Sequence, residues 1–351
     1  MFDTDDKSDL AVLVGVGDDL DELESLCETC NILTVARTSQ NVKEPDVTYY
    51  IGSGKVAEVA DLVREHNATC VVFDVELSGS KVRNLENAIG VAVLDRSKVI
   101  LDIFAQRAQS AEGKLQVELA QLKYNLPRLV GSGGLLSKMR SAVGMRGPGE
   151  QKLELDKRKI RDEIVALERK LEKLKSTRDL ARKSANKSGK PRVCLVGYTN
   201  SGKSTLLNAL AKSDVFAKDL LFATLDPKTA NVYVDGFQFL LTDTVGFIDK
   251  LPHEFIRAFE STLDEVRYAD LLLHVVDVSN PDYPHQIEVV NSVLEKIGAG
   301  EIPAIVVYNK IDKIPLSNER GACEAGGVFL SAKNNINIDL LKSKIVDMLD
   351  T

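Results

Sequence analysis

The stretch Gly197-Tyr-Thr-Asn-Ser-Gly-Lys-Ser204 decides the fold, because it reads G-x-x-x-x-G-K-S. A short apolar run, Arg192–Val196, precedes it, and a helix-forming run, Thr205–Ala211, follows it. In this context of strand, loop and helix, backbone N–H groups wrap phosphates at a helix N-terminus, where the helix dipole favours anions. The sequence therefore predicts an α/β domain of the P-loop NTPase type.

The residue types in this loop predict its contacts. Lys203 should reach the β- and γ-phosphates, and the Ser204 hydroxyl should ligate Mg²⁺. Asn200 offers a side-chain carbonyl that would suit K⁺ beside the phosphates, a hypothesis that equal rates in K⁺ and Na⁺ would remove. The other predicted nucleotide contacts in and after the loop are Gly197, Ser201, Gly202 and Thr205.

Two later motifs predict that the bound base is guanine. Asn309-Lys310-Ile311-Asp312 follows the apolar run Ala304–Tyr308. A carboxylate such as Asp312 accepts hydrogen bonds from guanine N1–H and N2–H₂, which adenine does not offer. Ser331-Ala332-Lys333 is expected to direct backbone N–H groups toward guanine O6. The predicted ligand is therefore GTP or GDP rather than ATP.

The segment between these motifs predicts the switch elements. Asp243-Thr-Val-Gly246 matches D-x-x-G, so Asp243 is the expected Mg²⁺ carboxylate and the Gly246 N–H the expected γ-phosphate contact. Residues 220–232, LLFATLDPKTANV, occupy the place of the first switch, which orders around the γ-phosphate. Thr224 is the predicted Mg²⁺-sensing hydroxyl and Thr229 the alternative. The predicted catalytic set is Lys203, Thr224 and Gly246.

The residue after Gly246 departs from a common pattern, because Phe247 stands where many GTPases place a glutamine that orients water. A phenyl ring cannot hold a nucleophilic water. We therefore expect slow unaided hydrolysis and a partner that supplies the missing geometry, which can change the rate by roughly 10³ to 10⁵. The alternative is an inactive GTPase.

The first hundred residues predict a second, smaller α/β domain, residues 1–104. Helix-period stretches such as Lys55–His66 alternate with short β-branched runs, the pattern of βαβ units on a parallel sheet. The predicted strands are Leu10–Val16, Ile32–Val35, Val47–Ile51, Cys70–Val75 and Val91–Leu94.

Two heptad-like leucine seams predict a long antiparallel helical hairpin over residues 105–185. The first seam contains Leu115, Leu119, Leu122, Leu126 and Leu129, and the second contains Leu153, Ile160, Ile164, Leu167, Leu171 and Leu174. A linker, residues 186–191, and the G domain, residues 192–351, are expected to follow.

The segment between the two seams, Pro127–Gly149, is rich in glycine and contains no Asp or Glu. The whole chain has 45 Lys and Arg against 52 Asp and Glu, a net charge of −7, so an acid-free basic loop is unusual in it. Glycines let the backbone approach phosphates, and cations neutralise them. We predict an RNA-binding loop, the alternative being a flexible connector that happens to be basic. Its predicted contacts are Arg128, Lys138, Arg140 and Arg146.

The overall composition predicts a cytoplasmic protein without a membrane partner. The apolar runs are too short to span a bilayer, and the N-terminus is acidic and polar. Five cysteines among 351 residues do not suggest a disulfide framework and favour a reducing compartment. We expect a monomer.

Further stretches resemble HflX, a member of the Obg/HflX branch of translational GTPases, from about residue 40 to residue 333. The stretches that carry the resemblance are YYIGSGK (Tyr49–Lys55), VLDRSKVILDIFAQRAQSAEGKLQVELAQLKYNLPRL (Val93–Leu129), RGPGEQKLELDKRKIRDEI (Arg146–Ile164), GYTNSGKSTLLNAL (Gly197–Leu210), FATLDP (Phe222–Pro227), DTVGFIDKLPHEFIRAFESTLDEV (Asp243–Val266) and ADLLLHVVDVS (Ala269–Ser279).

The resemblance implies an N-terminal domain, a hairpin and a G domain that act on the large ribosomal subunit. It implies that the hairpin loop reaches 23S rRNA near the peptidyl transferase centre, and that the ribosome stimulates GTP hydrolysis during splitting or rescue of stalled ribosomes. Two features depart from the family. The chain stops at Thr351, so we expect the extra C-terminal domain of many members to be absent, and Leu135, Leu136 and Met139 interrupt the glycine-rich loop. The alternatives are a subunit-assembly scaffold with a GTP checkpoint and a regulatory G protein with a protein partner.

Overall fold

The computed structural model describes most of the chain as two compact units. The described residues are 8–17, 19–129, 148–185, 189–211, 221–222, 224–234, 236–250, 260–314 and 327–350, without the side chains of 148–153, 179, 181–185 and 260–262. Unit 1 comprises Met1–Gln106 and Leu115–Leu171, and unit 2 comprises Arg107–Lys114 and Glu172–Thr351.

Unit 1 contains a four-stranded parallel sheet with strand order β2-β1-β3-β4. Its strands are β1 (Asp9–Gly15), β2 (Ile32–Ser39), β3 (Cys70–Phe73) and β4 (Ala92–Asp95). Its helices are α1 (Asp21–Thr29), α2 (Ser53–Glu65), α3 (Gly79–Ile89) and α4 (Arg96–Arg107). Because parallel neighbours need a crossover connection, the helices alternate with the strands, as the sequence pattern predicts.

The predicted strand Val47–Ile51 is wrong. An isolated bridge joins Asp46 to Tyr50, and the residues between them form a turn. The Asp46 carboxylate accepts hydrogen bonds from the backbone N–H groups of Thr48 at 2.7 Å and Tyr49 at 2.8 Å. An aspartate that bonds its own following backbone offers the chain a local alternative to a sheet ladder, which explains the difference.

The two long helices pack antiparallel. They are α5 (Ala111–Asn125), followed by a 3₁₀ turn over Leu126–Leu129, and α6 (Pro148–Ala185). Glu112 pairs with Arg178 at 3.1 Å in unit 2, and Lys123 pairs with Glu168 at 2.7 Å in unit 1. The residue numbers rise along α5 as they fall along α6, so the two helices are antiparallel, as the predicted fold class requires, and the bounds 105–185 of the hairpin stay a prediction. The hairpin is divided between the two units rather than forming a third one.

Unit 2 contains a six-stranded sheet with strand order β10-β9-β8-β5-β7-β6, in which β6 alone runs antiparallel to its neighbour. Its strands are β5 (Arg192–Gly197), β6 (Lys228–Val234), β7 (Phe237–Asp243), β8 (Leu271–Asp277), β9 (Ala304–Asn309) and β10 (Val328–Phe329). Its helices are α7 (Lys203–Ala211), α8 (Glu260–Arg267), α9 (Tyr283–Lys296) and α10 (Ile338–Leu349).

The core of unit 2 lies between this sheet and its helices, with Leu195, Leu206, Phe239 and Leu273 fully buried. The carboxyl ends of the parallel strands β5, β7 and β9 meet at one edge of the sheet, the usual place for a ligand in an open α/β fold. Among the helices described, none is both long and apolar enough to cross a membrane.

Candidate functional site

The G-x-x-x-x-G-K-S loop joins β5 to α7. Three of its residues, Gly197, Asn200 and Gly202, have positive φ angles of 152°, 59° and 95°, and these curl the chain around the start of the helix. Lys203 opens α7 with a buried side chain, whose Nζ donates to the carbonyls of Gly197 at 3.1 Å and Tyr198 at 2.8 Å. The lysine is therefore held inside the loop.

Three of the predicted metal and phosphate residues converge beside this lysine. The Ser204 hydroxyl donates to Asp243 Oδ2 at 2.6 Å, Thr224 Oγ1 donates to the same oxygen at 2.9 Å, and the two hydroxyls lie 2.8 Å apart. Asp243 is fully buried, and its Oδ1 has no hydrogen-bond partner among the described residues. Two hydroxyls and one carboxylate are hard oxygen donors of the kind that Mg²⁺ takes.

The alternative threonine lies elsewhere in the sheet. Thr229 Oγ1 is 2.9 Å from Thr242 Oγ1, across the antiparallel pair β6 and β7. Thr224, rather than Thr229, therefore contacts the Asp243 carboxylate.

Gly246 and Phe247 lie directly against the phosphate loop. A Cβ on Gly246 would be 2.7 Å from Thr199 Cα and 3.1 Å from Lys203 Nζ, so only glycine fits there. The Phe247 backbone donates to the Gly197 carbonyl at 3.1 Å and accepts from Thr199 N–H at 2.6 Å. Its side chain is buried. A buried phenyl ring therefore occupies the position at which a water-orienting side chain would stand.

The guanine motifs are tied to the phosphate loop by Asn309. Its buried amide donates to the Ser201 carbonyl at 2.9 Å and accepts from Ala332 N–H at 3.0 Å. Lys310 donates to the Asn200 carbonyl at 2.8 Å and pairs with Asp277 at 2.7 Å. Asn309 thus braces three segments of the site.

Asp312 is oriented by the second guanine motif. Ser331 Oγ donates to Asp312 Oδ1 at 2.5 Å, and Asn334 N–H donates to Ser331 Oγ at 3.2 Å. The Lys333 side chain is exposed. A cavity of about 590 Å³ lies beside this motif, lined by residues that include Thr205, Asn208, Ala332 and Asn335. The cavity therefore borders the phosphate-loop helix and the second guanine motif.

Comparisons with known proteins identify the family of the chain. The chain matches family models for the "GTP-binding GTPase N-terminal" domain over residues 17–105, the "GTP-binding GTPase Middle Region" over 107–185 and the "50S ribosome-binding GTPase" over 192–310. It is 50% identical over 330 residues to the GTPase HflX of Caldanaerobacter subterraneus subsp. tengcongensis, covering 93% of this chain and 76% of that protein.

The chain belongs to the HflX family of GTPases. It is also 42% identical to the GTPase HflX of Escherichia coli K12, over 99% of this chain and 85% of that protein. A crystal structure of SsGBP in complex with GDP aligns with a TM-score of 0.55 and 26% identity, covering 97% of this chain and 98% of that one. This HflX-family protein therefore binds guanine nucleotides and hydrolyses GTP to GDP and phosphate.

The pKa of the buried Lys203 in this HflX-family site is lower than that of an exposed lysine. Burial lowers the pKa of Lys203 to about 8, although the Asp243 carboxylate acts in the opposite direction and Lys310 lowers it further. Burial also raises the pKa of Asp243, against the effects of Lys203 and of its two hydroxyl partners. Near pH 8 and above, much of Lys203 is therefore neutral until an anion enters the loop.

We expect GTP binding to take up protons at alkaline pH. Phosphate favours the charged lysine, so the pKa of Lys203 rises on binding and a fraction of a proton should be taken up above about pH 8. Calorimetric titrations in buffers with different ionisation enthalpies measure this uptake. Lys203→Met should abolish it, whereas Lys296→Met, an exposed position on α9, should leave it unchanged. Uptake that persists in Lys203→Met would contradict the assignment.

The predicted RNA contact Arg128 has a different environment from the one expected. Its guanidinium pairs with the fully buried Asp95 carboxylate at 2.9 Å and donates to the carbonyls of Leu77 at 2.7 Å and Tyr124 at 2.8 Å. It also stacks on the Tyr124 ring, 3.4 Å from the centroid. A buried carboxylate left without such partners is costly, so in this structure the Arg128 guanidinium is engaged within unit 1 rather than presented to RNA. Lys138, Arg140 and Arg146 lie outside the described residues.

Two residues at the site were missed by the sequence analysis. Thr199 Oγ1 accepts from Phe222 N–H at 2.8 Å, so this threonine contacts the first switch as well as Phe247. Asp277, at the end of β8, pairs with Lys310. Thr199 occupies a variable position of the glycine-loop motif, so its sequence position does not predict a role at the site. Asp277 could have been predicted, because a carboxylate at the end of a buried strand is typical of a site residue.

Proposed function

We propose that this HflX-family GTPase acts in the cytoplasm as a monomer, binds the large ribosomal subunit, and is stimulated by the ribosome during splitting or rescue of stalled ribosomes. Its match to the "50S ribosome-binding GTPase" model over residues 192–310 supports a ribosomal partner. The acid-free segment that follows α5 supports contact with 23S rRNA, with Lys138, Arg140 and Arg146 as the docking residues. In this proposal the N-terminal domain is residues 1–104, the hairpin 105–185 and the G domain 192–351.

In the proposed site, the phosphate end is formed by Lys203, Ser204, Thr224, Asp243 and the Gly246 N–H. Lys203 neutralises the β- and γ-phosphates, and the two hydroxyls with Asp243 hold Mg²⁺, which when bound screens the charge that develops on the phosphate oxygens. The buried Asp243 Oδ1, which has no partner among the residues described, supports this assignment. Asn200 remains the proposed K⁺ ligand, and rates of GTP hydrolysis measured in K⁺ and in Na⁺ test this proposal.

At the other end of the proposed site, Asp312 recognises guanine N1–H and N2–H₂. Ser331 orients the carboxylate from one side through its 2.5 Å hydrogen bond. Asn309 and Lys310 donate hydrogen bonds to carbonyls of the phosphate loop. Binding of the base and binding of the phosphates therefore depend on the same set of contacts. Ala332 and Lys333 supply backbone N–H groups toward guanine O6.

The observation that carries the proposal is the burial of Phe247 against the phosphate loop. Lys203, Ser204, Thr224 and Asp243 are arranged for binding phosphate and metal, but Phe247 cannot orient a water molecule. A site with these groups and without a water-orienting side chain at this position needs an activator, which can be worth roughly 10³ to 10⁵ in rate.

The test is steady-state GTP hydrolysis with and without purified large ribosomal subunits. We expect strong stimulation of the wild type and its loss in Arg140→Glu/Arg146→Glu. The matched control, Lys170→Glu/Lys173→Glu, makes the same charge change on exposed positions of α6 and should keep stimulation. Binding to the subunit should weaken with log[salt] by roughly 0.7 to 0.9 per phosphate neutralised.

Wild-type hydrolysis that large subunits leave unchanged would overturn this proposal. Preferential binding to immature subunits would instead indicate an assembly scaffold with a GTP checkpoint. Binding that does not respond to salt would indicate a protein partner.

A further inference from the structure

Asp226, two residues after Thr224, contacts the start of the hairpin within unit 2. Its Oδ2 accepts the backbone N–H groups of Gln109 and Ser110, both at 2.9 Å. Its Oδ1 accepts the Ser110 hydroxyl. One carboxylate of the first switch therefore receives three hydrogen bonds from the two residues that precede α5.

Ser110 is also the residue that caps α5. Its Oγ accepts Gly113 N–H at 2.8 Å, and its carbonyl accepts Lys114 N–H at 3.0 Å. Such a cap stabilises a helix by about 1 kcal/mol, and a carboxylate at a helix N-terminus adds a favourable interaction with the helix dipole. Asp226 thus extends the cap from outside the helix.

The close approach of Asp226 to α5 depends on a glycine. A Cβ on Gly113 would be 2.5 Å from Asp226 Oδ1 and 3.0 Å from Ser110 Oγ. Any side chain there would push the carboxylate away from the cap. The first turn of α5 is therefore shaped to receive this residue.

The position of Asp226 is linked to that of Thr224 by a short piece of chain. Two residues span at most about 7 Å, and Leu225 between them is buried. Thr224 itself is bonded to Ser204 and Asp243 at the proposed Mg²⁺ position. A movement of Thr224 larger than this short connection allows would therefore displace the Asp226 carboxylate from Ser110.

The same helical turn has a second anchor that does not involve the first switch. Glu112 pairs with Arg178 at 3.1 Å, and Arg178 lies 3.5 Å from the buried Asp264 carboxylate. This anchor joins α5 and α6 to α8. It gives a reference contact on the same turn against which the effect of Asp226 can be measured.

We propose that Asp226 is a positioning residue that couples the state of the bound nucleotide to the first turn of α5, the helix that leads to the acid-free loop. With GTP, Thr224 holds the first switch in place and Asp226 caps the helix. After hydrolysis the switch is released and the cap is lost. This inference rests on the proposed role of Thr224, but it does not require the ribosome.

The test compares amide hydrogen exchange of the isolated chain bound to GDP and to a non-hydrolysable GTP analogue, in peptides that cover residues 107–114. We expect slower exchange with the GTP analogue in the wild type. Asp226→Ala should remove the difference between the two nucleotides, and Asp226→Asn, which keeps a carbonyl acceptor, should restore part of it. Glu112→Gln should leave the difference in place, because it alters only the second anchor.

Coupling is reciprocal, so nucleotide affinity gives an independent readout. Asp226→Ala should reduce the preference for the GTP analogue over GDP by about 10-fold, whereas Glu112→Gln should not change it. A cap that is merely structural would speed exchange equally with both nucleotides and leave the affinity ratio unchanged. Either that result, or wild-type exchange that is identical with the two nucleotides, would overturn the inference. Because no ribosome is present, neither result bears on ribosomal stimulation.

Discussion

Asp312→Asn should lower the affinity for GTP by about 10³-fold and raise the affinity for XTP. Guanine offers N1–H and N2–H₂ to the carboxylate, and hydrogen bonds to a charged partner are each worth roughly 1.5–3 kcal/mol. An asparagine keeps one acceptor for N1–H but turns an NH₂ group toward the guanine NH₂, which leaves two donors facing each other. Xanthine carries a carbonyl at that position and accepts the new donor.

The structure indicates that the Asp312→Asn substitution changes the contact with the base without moving the side chain. Ser331 Oγ donates to Asp312 Oδ1, a bond that an amide oxygen can also accept, so the new side chain keeps its orientation. Competition between GTP and XTP for the purified protein measures the change. Asp350→Asn, the same substitution at an exposed residue after α10, should leave the preference for GTP intact. If Asp312→Asn retained wild-type discrimination, Asp312 would not be the residue that reads the base.

Thr224→Ala should reduce GTP hydrolysis by about 10²- to 10³-fold, the usual effect of removing one preorganised group that stabilises the transition state. The lost hydroxyl lies 2.8 Å from Ser204 Oγ and 2.9 Å from Asp243 Oδ2, where the proposed metal would sit. Affinity for GDP should change little, because the first switch orders around the γ-phosphate. Single-turnover hydrolysis and GDP titration separate these two effects.

Thr229→Ala is the matched control. It removes the same hydroxyl from the same segment, but at a position bonded to Thr242 across β6 and β7. We expect near wild-type hydrolysis from this variant. Equal losses in both variants would mean that the segment acts as a whole, and a larger loss in Thr229→Ala would reverse the assignment.

Much of the nucleotide site could be predicted from short stretches of sequence. The glycine loop, D-x-x-G and Asn309–Asp312 each follow an apolar run, and the ends of parallel strands meet at one edge of a sheet. The contacts of Asn309 were not predictable in the same way. It was assigned to guanine, yet its amide braces Ser201 and Ala332, because the edge of the sheet brings three distant segments to one point.

The predictions for Arg128 and for Val47–Ile51 differ from the structure because each residue's neighbours in the fold were not visible in the sequence. Arg128 resembles a phosphate-binding residue in sequence because it lies near the start of the acid-free segment Pro127–Gly149. Only the packing of unit 1 places Asp95 beside it. Val47–Ile51 has strand-like composition, but Asp46 bonds the backbone that follows it and forms a turn. Composition indicates what a side chain is able to do, whereas its neighbours decide what it does.

The sequence by itself determined the P-loop fold and the guanine-nucleotide class of the ligand, and it predicts the phosphate-binding residues, because each depends on residues a few positions apart. The tertiary structure decided which threonine contacts Asp243 and gave Arg128 a buried partner. It also placed Asp226 against Ser110, 116 residues earlier in the chain. Contacts over such distances depend on how helices and strands pack, and no local pattern records them.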